Sequence, residues 1–429
     1  MKSLVLFSKA FPFGTWEPFL ETEVEYYDGF DEVRIFALSV NKEQARTERP
    51  IRDPNVTVHK VRSKSRWFYL RKQLQRVLGD KEFYRELGYL WRERRLSPGR
   101  VFELVEFLAK SHHEAGEIVE TIRDQRLLTP GSETVFYSYR FHYQPYVMHL
   151  VAEALGMADR VRIARGHGSD LYEFTSPSDY LPLRGAIIES LDGICLIAQH
   201  GLRYLAEGHP EAVERMYISY LGTNDHGLGV APSSREPLRI VTCSNVVPVK
   251  RLDRLTGALA TITDLPIHWT HFGDGPLMDR MRARVAELPV NIQTDIRGEI
   301  SNDGVLAEYA RTPFHVLINV SESEGIPVSM MEANSFGIPI IGTDVGGVGE
   351  IVETGVNGIL LPQLPTPEEI AKAIRAVARL DDDSYASLRR GAREVWETKF
   401  DATTNYPRFV SELLSSTQDE RRSLTGSER

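Results

Sequence analysis

The chain has only two cysteines in 429 residues. Cys195 and Cys243 lie far apart, sit among apolar neighbours and match no zinc or redox spacing. They read as buried thiols of a reducing cytoplasm. No apolar run reaches the roughly 18 residues of a membrane span. The N-terminus, MKSLVLFSKAFPFG, is charged and then apolar like a secretory signal, but its apolar run covers only residues 4–7. It reads as a first buried strand. No Gly-x-Gly-x-x-Gly follows any expected strand, and Gly273-Asp274-Gly275-Pro276 lacks the third glycine. That argues against a dinucleotide-dependent oxidoreductase. An overall positive charge is missing too: the net charge is −9, which excludes general nucleic-acid binding.

What is present is enough apolar residue, 42%, for two full cores, the natural division of a chain this long. Short apolar runs alternate with helical patterns. Strands are expected at 3–8, 33–38, 56–60, 134–139, 161–164, 193–198 and 216–221. A second series follows at 238–243, 267–272, 290–296, 314–320 and 338–342. This alternation predicts doubly wound parallel sheets. The stretch 227–237, GLGVAPSSREP, has linker composition. It places an N-terminal domain at 1–228, a linker at 229–236 and a C-terminal domain at 237–399. Residues after about 400 hold a last helix, and 415–429 are polar and expected to fray.

The segment 60–100 stands apart. It carries thirteen Lys/Arg against four acids, interleaved with Trp67, Phe68, Tyr69, Phe83, Tyr84, Tyr89 and Trp91. Two readings stay open: a solvated helical pair whose aromatics are core, or a basic face for an anionic membrane or lipid-linked substrate.

The chemistry concentrates in the second series. VSESEGIPVSMMEANSFGIPIIGTDVGGVGEI (320–351) forms two successive strand–loop–helix units, each with glycine where backbone must approach a ligand. Pro327 suits a helix start and Gly337 a left-handed stop. Lys250, Gly273, Gly298, Glu324, Gly325 and Glu332 all follow strands or sit near their carboxyl edge, where open α/β sheets bind ligands. Lys250, with Arg251 beside it, can neutralise a diphosphate. Acids there would repel phosphate, so Glu324 and Glu332 should bind hydroxyls, as of a sugar and a ribose. In the first series, Gly14 lies in the first strand–helix loop, either as a plain turn or as an approach to phosphate. His167, in RGHGSD (165–170), sits between two glycines after a strand and reads either as a crevice-exposed ligand contact or as a structural histidine. Tyr139 ends another strand.

These residues resemble the donor-binding signature of the retaining glycosyltransferases of family 4, which have the GT-B fold: two doubly wound Rossmann-like domains facing a central cleft. The E-x7-E pattern is Glu324 to Glu332. VVPVKRLD (246–253), GDGP (273–276), LGTND (221–225) and RGHGSDLY (165–172) fit as well. The resemblance implies metal-independent, cofactor-free transfer of a sugar from a nucleotide-diphosphate sugar to a glycan or lipid-linked acceptor. It implies Lys250 at the diphosphate, Glu324 and the N–H groups near Gly325, Ile326 and Pro327 at the sugar, Glu332 at the ribose, Gly14 beside the phosphates and His167 near the transferred sugar. Asp170, Arg165 and Tyr139 fall on the acceptor side. It also implies a last helix crossing back to the first domain. One position departs: an arginine common five residues before the lysine is Asn245 here, which brings no charge. Leaving-group stabilisation then rests on Lys250, with Arg251 as the candidate substitute. A weakly active or inactive sugar-binding protein is the alternative. The expected setting is bacterial cell-surface polysaccharide or glycolipid synthesis, in the cytoplasm or peripherally on the inner face of the membrane.

Overall fold

Strand β1 (Lys2–Ser8) shows why the chain layers as it does. It is buried on both faces, as a central parallel strand must be. Leu4 and Leu6 enter one apolar cluster, while Val5 and Phe7 enter another on the opposite face, the period of two that a pleated strand imposes. The computed structural model describes residues 1–129 and 131–415; the expected fraying of 415–429 falls almost wholly outside them.

The chain forms two units: 1–197 with 201–219 and 406 onward, and 198–200 with 220–405. The break falls after Ser219, ahead of the 229–236 stretch. The helix Ala402–Ser415 begins in the second unit and ends in the first, where Phe409, Val410 and Leu413 join the cluster around Leu4 and Leu6.

In the first unit β2 (Glu32–Val40), β3 (Val56–Arg62), β4 (Glu133–Ser138), β5 (Arg162–Gly166), β6 (Gly193–Leu196) and β7 (Met216–Ile218) complete a seven-stranded sheet of order β3-β2-β1-β4-β5-β6-β7. All pairings are parallel. In the second unit β8 (Leu238–Cys243), β9 (Ile267–Phe272), β10 (Ile292–Ile296), β11 (Val316–Asn319), β12 (Ile340–Thr343) and β13 (Gly358–Leu361) give a parallel sheet of order β10-β9-β8-β11-β12-β13. Strand order reverses between β1 and β4 and between β8 and β11. Each sheet therefore has one switch point, where the loops leaving adjacent strands diverge and open a crevice.

The basic segment divides its aromatics. It forms the helices Arg66–Gly79 and Lys81–Arg92, beside the helix Pro98–Gln125. Tyr69 and Phe83 are core, while Trp67, Tyr84 and Trp91 are largely exposed, as are Leu74, Leu78 and Leu96. The expectation that the aromatics are core holds for Tyr69 and Phe83 and not for Trp67, Tyr84 and Trp91.

Candidate active site

Lys250 follows β8 and Glu324 follows β11, the two strands flanking the switch point of the second sheet. Their side chains meet there: Lys250 Nζ donates to Glu324 Oε1 at 2.6 Å. The same oxygen accepts Asn319 Nδ2 at 3.0 Å and Ser321 Oγ at 2.6 Å. Ser321 is fixed in turn, its N–H on Asn319 Oδ1 and its carbonyl under Thr343 Oγ1. Three donors thus converge on Oε1, and among the described residues none reaches Oε2. The carboxylate is oriented, with one oxygen left to accept hydroxyls.

The backbone around this pair is packed too closely for side chains. A Cβ on Gly346 would lie 1.9 Å from the Glu324 carbonyl oxygen, and one on Gly347 would lie 2.6 Å from that of Gly325. Gly347 N–H donates to the Gly325 carbonyl at 2.7 Å. Ile326 is buried, and Pro327 is the N-cap of the helix Val328–Ser335, one residue ahead of the expected first-turn position. Gly337, at φ +69°, ends that helix. On the neighbouring strand, a Cβ on Gly273 would meet the Ser244 carbonyl at 2.0 Å. Gly273 N–H reaches the Gly298 carbonyl at 2.8 Å, and Val246 N–H the Asp274 carbonyl at 2.9 Å. The loops after β8, β9 and β10 are stitched into one rim. Arg251, in the left-handed region at φ +49°, turns to Glu322 at 3.2 Å and Asp253 at 3.3 Å. It does not join Lys250 in the structure as it stands. Asn245 is exposed.

Glu332 sits deeper, inside Val328–Ser335. Burial pushes its carboxyl up to about 7, against a weaker opposing hydrogen bond from Asn302. Cys243 is only partly covered, while Cys195 is fully buried; both are free thiols.

The first unit treats its expected residues differently. His167 is buried, not exposed at a crevice: its Nε2 lies 3.0 Å from the Tyr139 carbonyl. A carbonyl only accepts, so Nε2 carries the proton. Burial, with Arg140 and Arg165 nearby, holds the imidazole neutral, well below its usual range. Asp170 accepts the N–H groups of His167 at 2.7 Å and Phe141 at 3.0 Å. It ties the loop after β5 to the loop after β4. Tyr139 is interior. The acceptor-side expectation for Arg165 is corrected: its side chain is fully buried. It faces Glu23 at 3.2 Å, donates to Tyr137 Oη at 2.7 Å and to the Ser219 carbonyl at 3.1 Å, and lies 4.1 Å from the Phe409 ring. The strand period turns it into the core, which the glycine-rich sequence context hid. Gly14, at φ +69°, donates to the Thr47 carbonyl, and a Cβ there would meet Gln44 Cγ at 2.9 Å.

Sequence reasoning missed Asn319 and Ser321, the residues that orient Glu324. The available signal was a lone Asn closing the apolar run 314–320. It also missed Glu17, whose carboxylate accepts the N–H groups of Lys9, Ala10 and Phe11.

Residues 230–395 match the model of the family described as glycosyl transferases group 1. The chain is 26% identical over 195 residues to the putative colanic acid biosynthesis glycosyltransferase WcaL of Escherichia coli K12, covering 44% of this chain and 48% of that protein. It spans about half or less of the length of the first curated relatives it matches. Two solved structures align over 97% of the chain. Anabaena Alr3699/HepE in complex with UDP is 16% identical, with a TM-score of 0.65 and all of that chain covered. The apo lipopolysaccharide outer core galactosyltransferase WaaB is 14% identical, with a TM-score of 0.68 and 99% covered. The chain therefore has two Rossmann-like units with the fold of GT-B glycosyltransferases, and residues 230–395 of its second unit match the glycosyl transferases group 1 model.

Proposed function

We propose that the protein is a retaining, metal-independent glycosyltransferase of the E-x7-E type. It moves a sugar from a nucleotide-diphosphate sugar to a glycan or lipid-linked acceptor in cell-surface polysaccharide or glycolipid synthesis. The observation that carries this reading is the Lys250–Glu324 pair at the switch point, with one carboxylate oxygen held by three donors and the other unshared. Oε2 accepts sugar hydroxyls. Lys250, a compact point charge, moves or shares its contact to meet the diphosphate as negative charge develops on the leaving group. The helix ending at Gly337 and the main-chain N–H groups near Ile326 add donors without side chains. Glu332, ionised on binding, accepts from the ribose diol. Attack comes from the leaving-group face, with no carboxylate nucleophile. The relative named for colanic acid synthesis and the neighbour solved with UDP support the substrate class.

The exposed face of the basic hairpin supports a place for this reaction. Trp67, Leu74 and Leu96 line a groove with Arg71, and the segment is strongly basic in an acidic chain. Apolar rings beside cations suit an anionic bilayer. No helix among the described residues is long and apolar enough to cross a membrane, so the association proposed is peripheral.

The test is a thermal-shift panel of nucleotide sugars, with and without chelator. A ligand at about 100 times its dissociation constant raises stability by roughly 2.7 kcal/mol. One base and sugar should stand out, unaffected by chelation. No shift with any of them sinks the donor reading; a shift lost on chelation sinks metal independence.

A further inference from the structure

The carboxyl edge of the first sheet carries cations seated on aromatic rings. Lys9 Nζ lies 3.5 Å from the Trp16 ring centre, Lys60 Nζ 4.0 Å from Phe13 and Lys110 Nζ 3.9 Å from Tyr143. Lys110 also donates to Ser39 Oγ at 2.9 Å. Lys9 follows β1 and Arg140 follows β4, the strands on either side of this sheet's switch point. Arg140 Nε is buried and makes no hydrogen bond among the described residues.

The surrounding carboxylates are already engaged. Glu17 lies 3.6 Å from Arg140 Nε, but accepts three backbone N–H groups. Asp170 lies 3.7 Å from Arg140 Nη1, but accepts two. Glu114 lies 3.9 Å from Lys110 Nζ and is fully buried. They offset part of the positive charge from behind the cluster, while Glu17 and Asp170 use their hydrogen-bonding capacity on the main chain and Glu114 accepts from Tyr69 Oη. Lys9, Arg140 and Lys110 also crowd one another: burial first, then Arg140 and Lys110, bring the Lys9 ammonium down to about 8. An arriving anion would relieve that repulsion. A ring face holds a cation with little directional demand, so Lys9 can turn toward a ligand without breaking an ion pair, and Lys110 gives up only a long one of 3.9 Å to Glu114.

We propose that Lys9, Arg140 and Lys110 form an anion subsite of the first unit that takes the phosphoryl group of a phosphorylated acceptor. This rests on the glycosyl-transfer reading and narrows its acceptor from any glycan to one carrying phosphate. The phosphate could belong to a lipid diphosphate or to a phosphosugar; the chemistry at the three cations is the same.

The test is calorimetric titration of the full chain, saturated with UDP to occupy the donor site, with geranyl diphosphate and, separately, glucose 6-phosphate. Lys9→Gln and Arg140→Gln should each weaken the bound probe at least tenfold, with UDP affinity and melting temperature unchanged. Tighter binding of geranyl diphosphate assigns the lipid source, and tighter binding of glucose 6-phosphate the sugar source. Failure of both probes to bind, or equal affinity in the two variants, overturns the proposal. Lys9→Gln alone decides it if Arg140→Gln does not fold. If UDP itself does not bind, the donor reading falls, while loss of probe binding in the variants still reports on the subsite.

Discussion

Two cation–carboxylate pairs, Arg165–Glu23 in the first unit and Lys250–Glu324 in the second, are built for opposite purposes. Arg165 and Glu23 are 0% exposed on both sides. Tyr137, Ser219, Glu23 and the Phe409 ring surround the guanidinium, and its Nη2 faces Glu23 Oε2 as an ion pair without a hydrogen bond. Glu23 is further held by Tyr27 Oη at 2.8 Å. Lys250 and Glu324 keep 23% and 9% of their side-chain surface, and one oxygen of Glu324 is left unshared. The closed pair ties the helix Pro18–Val24 to β5; an open pair can exchange its partner for a ligand. The distance between the charges does not distinguish them. Access does: neither member of the closed pair is exposed, and both members of the open pair are in part.

That contrast can be broken by substitution. Arg165→Ala should cost about 3–5 kcal/mol of stability, because it leaves a buried carboxylate uncompensated; denaturant unfolding measures it. A loss under about 1 kcal/mol would mean the pair is no scaffold. Lys250→Ala and Glu324→Ala should do the reverse, leaving unfolding nearly unchanged and lowering transfer by roughly 10²–10³-fold, as expected for a group that stabilises developing charge. Undiminished turnover in either would remove the site assignment.

Glu332 sharpens the comparison from the side of pH. Its carboxyl is raised from 4.5 to about 7, so folding favours its protonated form. The stability linked to it is complete below pH 4.5 and lost as pH rises through 7. Glu332→Gln should therefore be more stable than the parent above pH 7, by at most about 3 kcal/mol, with the gap closing toward pH 4.5. If the ionised form binds ribose, donor affinity should climb between pH 6 and 8 in the parent and stay flat in the variant. The smallest effect belongs to the hairpin. Arg71→Glu or Lys72→Glu should each weaken binding to anionic vesicles by about 1–2 kcal/mol in low salt, with soluble-substrate turnover unaffected. Equal sedimentation with neutral vesicles would remove the bilayer from the account.

How far the chain could be read from its letters follows the same division. Parallel strands announced themselves because strands buried on both faces are runs of Val, Ile, Leu and Phe. The open site was legible because ligand approach demands glycine, and Gly325, Gly346 and Gly347 cluster beside Glu324. The closed networks were not. Glu23, Glu17 and Arg165 look like any surface charges until the fold buries them, and no local pattern marks Arg165 as core. Strand β13 and the helix Pro367–Ala378 were likewise unassigned. β13 is four residues at a sheet edge, too short for periodicity to register.

The course of the last helix has a consequence for how the protein comes to exist. Phe409, Val410 and Leu413 fill the cluster to which Leu4 and Leu6 belong, so this core closes only through contacts of very high sequence separation, the kind that form late in folding. A chain cut before the helix Ala402–Ser415 should keep the core around Trp269 in its second unit while its first unit exposes Leu4 and Leu6.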